Sequence, residues 1–213
     1  MTLTVRRGRA VLQGGPRPGR MHEGLAPGGA FVPELLAAAN RAVGNPPDAP
    51  ALEFFMPLEV TSDAIAATDA ELVQPGAARL VPRHRAGYLA VGPAPRPPEP
   101  PRWSDEPIAL VLGPDEGDTA ALLASVFRVS PVGDRVGVRL EGPPVHAAPV
   151  LLSAPMVRGA IQATPSGQLV VLGPDHPTTG GYPVIAVVAE ADLGRLFARR
   201  PGAEVHFRVK VVP

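Results

Sequence analysis

Short apolar runs separated by turns rich in glycine and proline dominate the hydrophobic pattern of this chain. Some runs are continuous, such as 108–112, and a run of this kind is typical of a strand buried on both faces. The last run alternates, because Val205, Phe207 and Val209 are separated by polar residues. Many short strands of this kind predict a barrel or a sandwich. The predicted strands are 2–6, 51–56, 58–61, 87–91, 108–112, 136–140, 159–163, 168–172, 183–189 and 204–212.

Three segments have the pattern of helices. Residues 33–43 begin with a proline and a glutamate and stop at a glycine, which is a typical start and end. Residues 118–124 begin with Asp118, a good N-cap residue. Residues 190–200 have acidic residues in the first turn and arginines in the last, and this placement complements the helix dipole. The chain is therefore predicted to be mainly β with a few short helices.

A proline-rich segment divides the chain. Six prolines fall within residues 93–101, and so many prolines can neither pair in a sheet nor continue a helix. Such a segment is an extended spacer, with a proline-rich ligand for another domain as the functional alternative. We predict a first domain over 1–92, a linker over 93–106 and a second domain over 107–213.

Composition excludes several classes of protein. The 213 residues are 45% hydrophobic and carry 20 basic and 20 acidic side chains, which favours folded cores over disorder. Balanced charge and few aromatic residues argue against nucleic-acid binding. No apolar run reaches the ~20 residues of a membrane span, and the first residues lack the apolar stretch of a signal peptide. We therefore expect a cytoplasmic protein without a membrane or nucleic-acid partner.

Local catalytic and metal-binding motifs are absent from the sequence. There is no cysteine, and the five histidines lie at least 30 residues apart, so we expect no bound metal. A P-loop, a nucleophile elbow, a dinucleotide-binding fingerprint and a zinc-protease motif are also absent. Any chemistry must therefore come from residues that the fold brings together.

Two segments have unusual chemistry. Residues 12–20 form a glycine-rich loop with Arg17 and Arg20, which can offer backbone N–H groups and a guanidinium to an anion; an irregular turn with solvated arginines is the alternative. Residues 175–183 concentrate threonine, glycine and tyrosine between two apolar strands. This second segment predicts a site or an interface, or else a tight corner.

These segments, with others, resemble a known family. Residues 158–193, with their Thr-Thr-Gly-Gly-Tyr-Pro stretch, and residues 134–142 resemble its C-terminal motifs. The N-terminal loop 13–19, the helix end and strand over 39–53, and residues 88–91 match the rest of its pattern. The chain is identified as a member of the family of 5-oxoprolinase C-type subunits, also called biotin-dependent carboxyltransferase-like or allophanate hydrolase subunit 2-like.

The resemblance implies a mainly β fold of two cyclophilin-like β-barrels. It also implies ATP-dependent cleavage of 5-oxoproline to glutamate in a complex with a B-like partner protein and an A-like partner protein. ATP would be shared with that complex, and no metal or biotin is expected on this chain. A carboxyltransferase that uses carboxybiotin is one alternative; since the chain has no Met-Lys-Met acceptor, the biotin would come from another protein.

The candidate site residues follow from side-chain chemistry at positions that match the motifs. The candidates for catalysis are Arg17, Thr178, Thr179 and Tyr182. The candidates for binding substrate or an anion are Gln13, Gly15, Arg17, Gly19, Asn40, Asn45, Arg135, Arg139, Gln162, Gln168, Asp175, Gly180 and Gly181.

The chain also departs from the family pattern. Family members are usually longer, and here the first domain is compressed between Glu53 and Tyr88. Gly14 and Val32 replace usual aspartates, and Val138 replaces a usual tyrosine. A lost carboxylate removes a possible proton acceptor or cation partner. A second alternative is therefore a non-catalytic regulatory module that binds a B-like partner or kinase-inhibitor protein, since the family also includes an antagonist of a kinase inhibitor.

Overall fold

The computed structural model describes residues 1–210, and the chain divides into two units. The first unit contains Met1–Pro16 and Gly29–Trp103. The second contains Arg17–Gly28 and, of the described residues, 104–210. The segment 17–28, which the sequence pattern places in the first domain, therefore belongs to the second unit.

Among the described residues, the first unit consists of one helix and eight strands. The helix is α1 (Pro33–Ala42). The strands are β1 (Leu3–Arg7), β2 (Val11–Gln13), β3 (Ala51–Phe54), β4 (Leu58–Ser62), β5 (Ala66–Thr68), β6 (Leu72–Val73), β7 (Gly76–Leu80) and β8 (Gly87–Val91). They form one sheet in the order β1-β4-β7 and another in the order β2-β3-β8-β5-β6, and α1 packs against the second sheet.

Periodicity explains how these elements bury their apolar faces. In β4, Leu58 and Val60 are buried while Glu59 and Thr61 are partly exposed, as period 2 requires. Leu35 and Leu36 of α1 are also fully buried. One core cluster of this unit consists of Phe54, Leu58, Val60, Ala66, Val73, Leu80 and Leu89.

The start of the proline-rich segment is attached to the first unit. The N–H of Ala94 donates to the carbonyl of Val43 at 3.1 Å, and the N–H of Arg96 donates to Ala42 at 2.7 Å. These bonds satisfy carbonyls at the end of α1, which an α-helix leaves without intrahelical partners. At least this part of the predicted spacer is therefore held in place.

The second unit contains a nearly closed barrel sheet. Its helices are α2 (Thr119–Ala124) and α3 (Glu190–Phe197). The strands are β9 (Ile108–Leu112), β10 (Phe127–Gly133), β11 (Gly137–Glu141), β12 (Ala154–Pro155), β13 (Ala160–Ala163), β14 (Leu169–Leu172), β15 (Thr179–Gly180), β16 (Val184–Val188), β17 (Glu204–Val205) and β18 (Phe207–Val209).

One segment of chain joins the two ends of this sheet. Within residues 1–210 the strand order is β17-β10-β11-β14-β13-β16-β9-β18. β17 pairs with β10, whereas β18 pairs with β9 in parallel. Because only His206 separates β17 from β18, the segment 204–209 brings the two edges of the sheet together. The predicted mainly β, barrel-type fold is confirmed.

The structure corrects two strand predictions. The run 108–112 was predicted to be buried on both faces, but Val111 and Leu112 are about half exposed. The described pairing with β18 ends where Val209 meets Leu110, so these two residues have a described neighbour only in β16. The predicted strand 204–212 is interrupted at His206, and its last two residues lie outside the described residues.

A buried arginine fixes the entry to the barrel. Arg195 of α3 donates to the carbonyls of Ser104, Glu106 and Pro107, which lead into β9. The same guanidinium pairs with Asp192 at 3.0 Å. The Asp192 carboxylate also accepts the N–H of Ala109 at 2.7 Å. Helix α3 and the first residues of β9 are therefore tied together by one polar cluster.

Candidate functional site

The segment 17–28 of the second unit is a closed loop. The N–H of Arg17 donates to the carbonyl of Pro27 at 2.7 Å, which brings the ends together. Inside the loop, residues 21–23 form a 3₁₀ turn that ends at Gly24 in the left-handed region. Arg20 pairs with Glu23 at 2.5 Å. Arg17 is exposed and makes no ion pair within residues 1–210.

Two hydrogen bonds fasten this loop to the threonine and glycine motif. The N–H of Gly28 donates to the carbonyl of Pro174 at 2.9 Å. The hydroxyl of Thr178 donates to the carbonyl of Met21 at 3.2 Å. The structure therefore brings two of the predicted site segments together, and it shows Thr178 holding the loop.

Within the segment 175–183, a short pair of strands lies against the buried side chains of Met156 and Gln162. Thr179 and Gly180 form β15, which pairs with β12. A Cβ at Gly180 would lie 2.9 Å from the Gln162 amide nitrogen and 3.0 Å from the Met156 sulfur, so only glycine fits without a shift. Gln162 is buried and donates to the carbonyl of Tyr182 at 3.3 Å.

Several residues of this segment are exposed to solvent. Thr179 and Gly181 are exposed, and Tyr182 is 48% exposed. Hydroxyl groups of threonine and tyrosine can donate to or accept from a ligand. The predicted catalytic candidates of this motif therefore divide into one anchor, Thr178, and two accessible hydroxyls.

A bidentate ion pair supports the start of the motif. Arg135 donates to Asp175 through Nε at 2.7 Å and through a terminal nitrogen at 3.0 Å. The N–H of Asp175 also donates to the carbonyl of Arg135 at 3.0 Å. Both residues were predicted to bind substrate, and here they bind each other. This arrangement fixes the chain next to Pro174.

Two further predicted residues form a separate pair beside a groove. Arg139 donates to the amide oxygen of Gln168 at 2.9 Å, on the exposed side of β11. The adjoining groove has a volume of about 400 Å³. Its lining residues are Phe127, Leu140, Glu141, Gly142, Pro143, Pro144, Ser166, Gly167, Gln168 and Leu169.

In the first unit, the glycines of the N-terminal loop lie against backbone. The N–H of Gly15 donates to the carbonyl of Asp48 at 3.1 Å, just after Gln13 ends β2. A Cβ at Gly14 would lie 3.0 Å from that same carbonyl oxygen. The close approach explains why glycine suits position 14. Gly19, in the part of that loop that belongs to the second unit, has φ +80° and no heavy atom within 4 Å of the place of its Cβ.

The two predicted asparagines hold a turn of the first unit. Asn40 is fully buried and donates to the carbonyl of Ala49 at 2.7 Å. Asn45 donates to the Asn40 side-chain oxygen at 3.2 Å and to the carbonyl of Val91 at 2.9 Å. Their amides are thus occupied by the protein itself. Their predicted role in binding a ligand stays a prediction.

Glu53 of β3 is a buried carboxylate that holds the residues leading into α1, a role that the sequence pattern does not indicate. Glu53 accepts the hydroxyl of Tyr88 at 2.6 Å and the N–H of Phe31 at 2.7 Å. The Tyr88 oxygen in turn accepts the N–H of Val32 at 2.8 Å. Val32 is fully buried, and so is Val138 in the second unit. These valines, which stand where the resemblance leads us to expect an aspartate and a tyrosine, thus occupy core positions.

Asp69 of the first unit is a buried acid whose pKa is raised. Burial is the main cause, because it disfavours the charged carboxylate. The adjoining cavity of about 10 Å³, lined in part by Thr68 and Arg83, has room for about one water molecule. The folded protein therefore binds this proton more tightly than the unfolded chain does.

We expect Asp69→Asn to reduce the pH dependence of stability. With a raised folded-state pKa, the contribution of Asp69 is fully present below its unfolded pKa of about 3.9 and is lost as the pH rises toward the folded-state pKa. The stability of the variant relative to the natural protein should therefore increase with pH over that window. Urea unfolding at a series of pH values measures this difference, and a constant difference would contradict it.

Two kinds of feature are absent from residues 1–210. Histidine, aspartate and glutamate side chains do not gather there in any group of three or more that could hold a metal ion. None of the helices in that range is both long enough and apolar enough to cross a membrane.

The nearly closed barrel of the second unit is the kind of fold found in carboxyltransferase domains. Residues 65–209 match the family "Carboxyltransferase domain, subdomain A and B", and the chain belongs to this family. Over 76 residues it is 43% identical to the C-type subunit of 5-oxoprolinase from Haemophilus influenzae, covering 35% of this chain and 25% of that protein. Over 95 residues it is 36% identical to the corresponding 5-oxoprolinase protein of Escherichia coli K12, covering 44% and 31%.

Solved structures show the same fold. The crystal structure of TTHA0988 superposes with a TM-score of 0.80 at 29% identity, over 97% of this chain and 56% of that one. The urea carboxylase of Kluyveromyces lactis superposes with a TM-score of 0.72 at 20% identity, over 96% of this chain and 27% of that one. The second likeness concerns the fold alone. The chain spans about half of TTHA0988 and matches a third or less of the curated relatives.

Proposed function

We propose that this chain is the C-type subunit of an ATP-dependent 5-oxoprolinase, which opens 5-oxoproline to glutamate. The assignment rests on the similarity to two C-type subunits of 5-oxoprolinase. The hydrogen bonds that join the segment 17–28 to Pro174 and Thr178 support it. They place the Arg17 guanidinium and the exposed hydroxyls of Thr179 and Tyr182 on the same unit.

The chemistry of the substrate matches this set of groups. 5-Oxoproline is a lactam that carries a carboxylate. An exposed guanidinium can bind a carboxylate or a phosphate through two parallel hydrogen bonds. We assign that role to Arg17, and we assign orientation of the lactam, or contact with a partner protein, to Thr179 and Tyr182.

When ATP is bound, it would activate the lactam carbonyl of 5-oxoproline. A single guanidinium such as that of Arg17 can bind one anionic group, whereas a nucleoside triphosphate carries several negative charges. We therefore propose that ATP is shared with partner proteins, one B-like and one A-like. The chain's own contribution is to bind and orient an anionic group.

The direct experiment is ATP-dependent release of glutamate from 5-oxoproline by this chain co-purified with its A-like and B-like partners. We expect turnover that disappears when this chain is omitted. A well-formed complex without turnover would instead support the second candidate, a regulatory module that binds the B-like partner. The backbone that crowds Gly14, where the family usually has an aspartate, favours that candidate.

Arg17→Ala should lower kcat/KM for 5-oxoproline about 10- to 100-fold, because a hydrogen-bonded contact to a charged group is worth about 1.5–3 kcal/mol. Arg20→Ala is the matched control. Its guanidinium is already paired with Glu23, so its loss should change kcat/KM by less than about threefold. Undiminished turnover by Arg17→Ala in an intact complex would overturn the assigned role.

A further inference from the structure

The guanidinium of Arg17 lies directly on the backbone of Gly28. A Cβ at Gly28 would be 2.6 Å from a terminal guanidinium nitrogen, 3.2 Å from the central carbon and 3.4 Å from Nε. These three distances show that the planar group covers the place where a side chain would be. Gly28 is buried, whereas Arg17 is exposed. The glycine is therefore the surface on which the charged group rests.

We propose that Gly28 is a positioning residue that holds the Arg17 guanidinium ready for an anionic group, a carboxylate or a phosphate. The inference rests on the proposed function, in which Arg17 binds that group. A long side chain loses rotamer freedom when it binds a ligand. A guanidinium that is already confined loses less of it, so binding is favoured.

Gly28 can act in this way because it is itself fixed. Its N–H donates to the carbonyl of Pro174 at 2.9 Å, and the N–H of Arg17 closes the loop on Pro27 at 2.7 Å. Beyond Pro174 the chain is held by the ion pair of Asp175 with Arg135. Gly28, on which the guanidinium lies, is thus connected to the rest of the second unit through backbone hydrogen bonds and a side-chain ion pair.

An alanine at position 28 would remove the support for two reasons. Gly28 has φ +63°, a conformation that alanine adopts only with strain. The new Cβ would also overlap the guanidinium. Because the guanidinium is the far end of a flexible side chain, it can move away without unfolding the loop. We therefore expect Gly28→Ala to fold and to displace the charge.

Gly24 provides a matched control in the same loop. Its φ of +76° gives alanine a comparable backbone strain, but no heavy atom lies within 4 Å of the place of its Cβ. Gly24→Ala therefore reproduces the strain without touching the guanidinium. A difference in activity between the two variants therefore measures the effect of displacing the Arg17 guanidinium, separately from the backbone strain.

The first measurement is turnover of 5-oxoproline by the assembled complex. We expect Gly28→Ala to lower kcat/KM about 10-fold or more, mainly through KM, since small misplacements of a binding group have effects of this size. Gly24→Ala should stay within about twofold of the natural chain. In an Arg17→Ala background, Gly28→Ala should have little further effect, because the two residues act as one unit. Equal losses in both glycine variants would overturn the proposal.

The second measurement needs no turnover. The Nε–H of Arg17 is followed by ¹⁵N relaxation in the full chain, with its signal assigned by its absence in Arg17→Ala. We expect an ordered group in the natural chain and in Gly24→Ala, and a mobile one in Gly28→Ala. A mobile group in the natural chain would overturn the positioning role. An ordered group together with a complex that releases no glutamate would leave that role standing and refute the proposed function.

Discussion

Replacing Arg195 by methionine is expected to lower the free energy of unfolding by about 3–5 kcal/mol, the range for breaking a buried ion pair by removing one partner. Arg195 is 5% exposed and donates to three backbone carbonyls and one carboxylate. Methionine fills much of the same volume but donates no hydrogen bond. The carboxylate of Asp192 would then remain in a largely buried place without its cation. Urea unfolding of the full chain, with the m-value as a check on cooperativity, measures the loss.

Two further variants separate the parts of this effect. Arg208→Met removes an exposed arginine that lies 3.7 Å from Glu106, and it should cost less than about 1 kcal/mol. Asp192→Asn combined with Arg195→Met should recover part of the loss, since the buried charge is then gone. If Arg195→Met were as mild as Arg208→Met, the cluster would not hold the entry of the barrel.

Replacing Glu53 by alanine is expected to cost about 3 kcal/mol or more, because it leaves buried donors without their acceptor. The N–H of Phe31 and the hydroxyl of Tyr88 both donate to Glu53. The truncation also opens space in a closely packed region, which adds to the cost. Thermal or urea unfolding of the full chain measures it.

Tyr88→Phe tests a second bond of the same network, and Glu71→Ala is the control at an exposed glutamate. Tyr88→Phe removes the acceptor of the buried Val32 N–H and should cost about 1–3 kcal/mol. Glu71 is exposed, and its replacement should stay within about 0.5 kcal/mol. A loss for Glu53→Ala no larger than that for Glu71→Ala would show that the network does not stabilise the start of α1.

Elements with a strong apolar pattern could be predicted from the sequence. Strands 87–91 and 108–112 were predicted with the observed bounds, and the three predicted helices are present. Strands without such a pattern were missed. β7 consists mainly of glycine, alanine and arginine, and β10 contains a serine and a proline. These strands form because neighbouring strands pair with them, and intrinsic propensity does not indicate that.

The candidate site was predictable in its chemistry but not in its arrangement. Arg17 and Thr178 were selected by residue type and motif, and the structure joins their segments. The joining bonds end on the carbonyls of Pro174 and Met21, and a backbone carbonyl leaves no trace in a sequence pattern. For the same reason the membership of 17–28 in the second unit could not be foreseen. The functional roles of these residues stay predictions.

The way the barrel closes also bears on how the chain folds as it leaves the ribosome. β9 is made about a hundred residues before β18, its parallel partner, and contacts so distant in sequence form slowly. Until residues 204–209 emerge, β9 and β10 each lack one neighbour and expose unpaired backbone, which is prone to wrong association. The second unit is therefore expected to complete its fold only after synthesis of these residues, and to be most prone to aggregation before then.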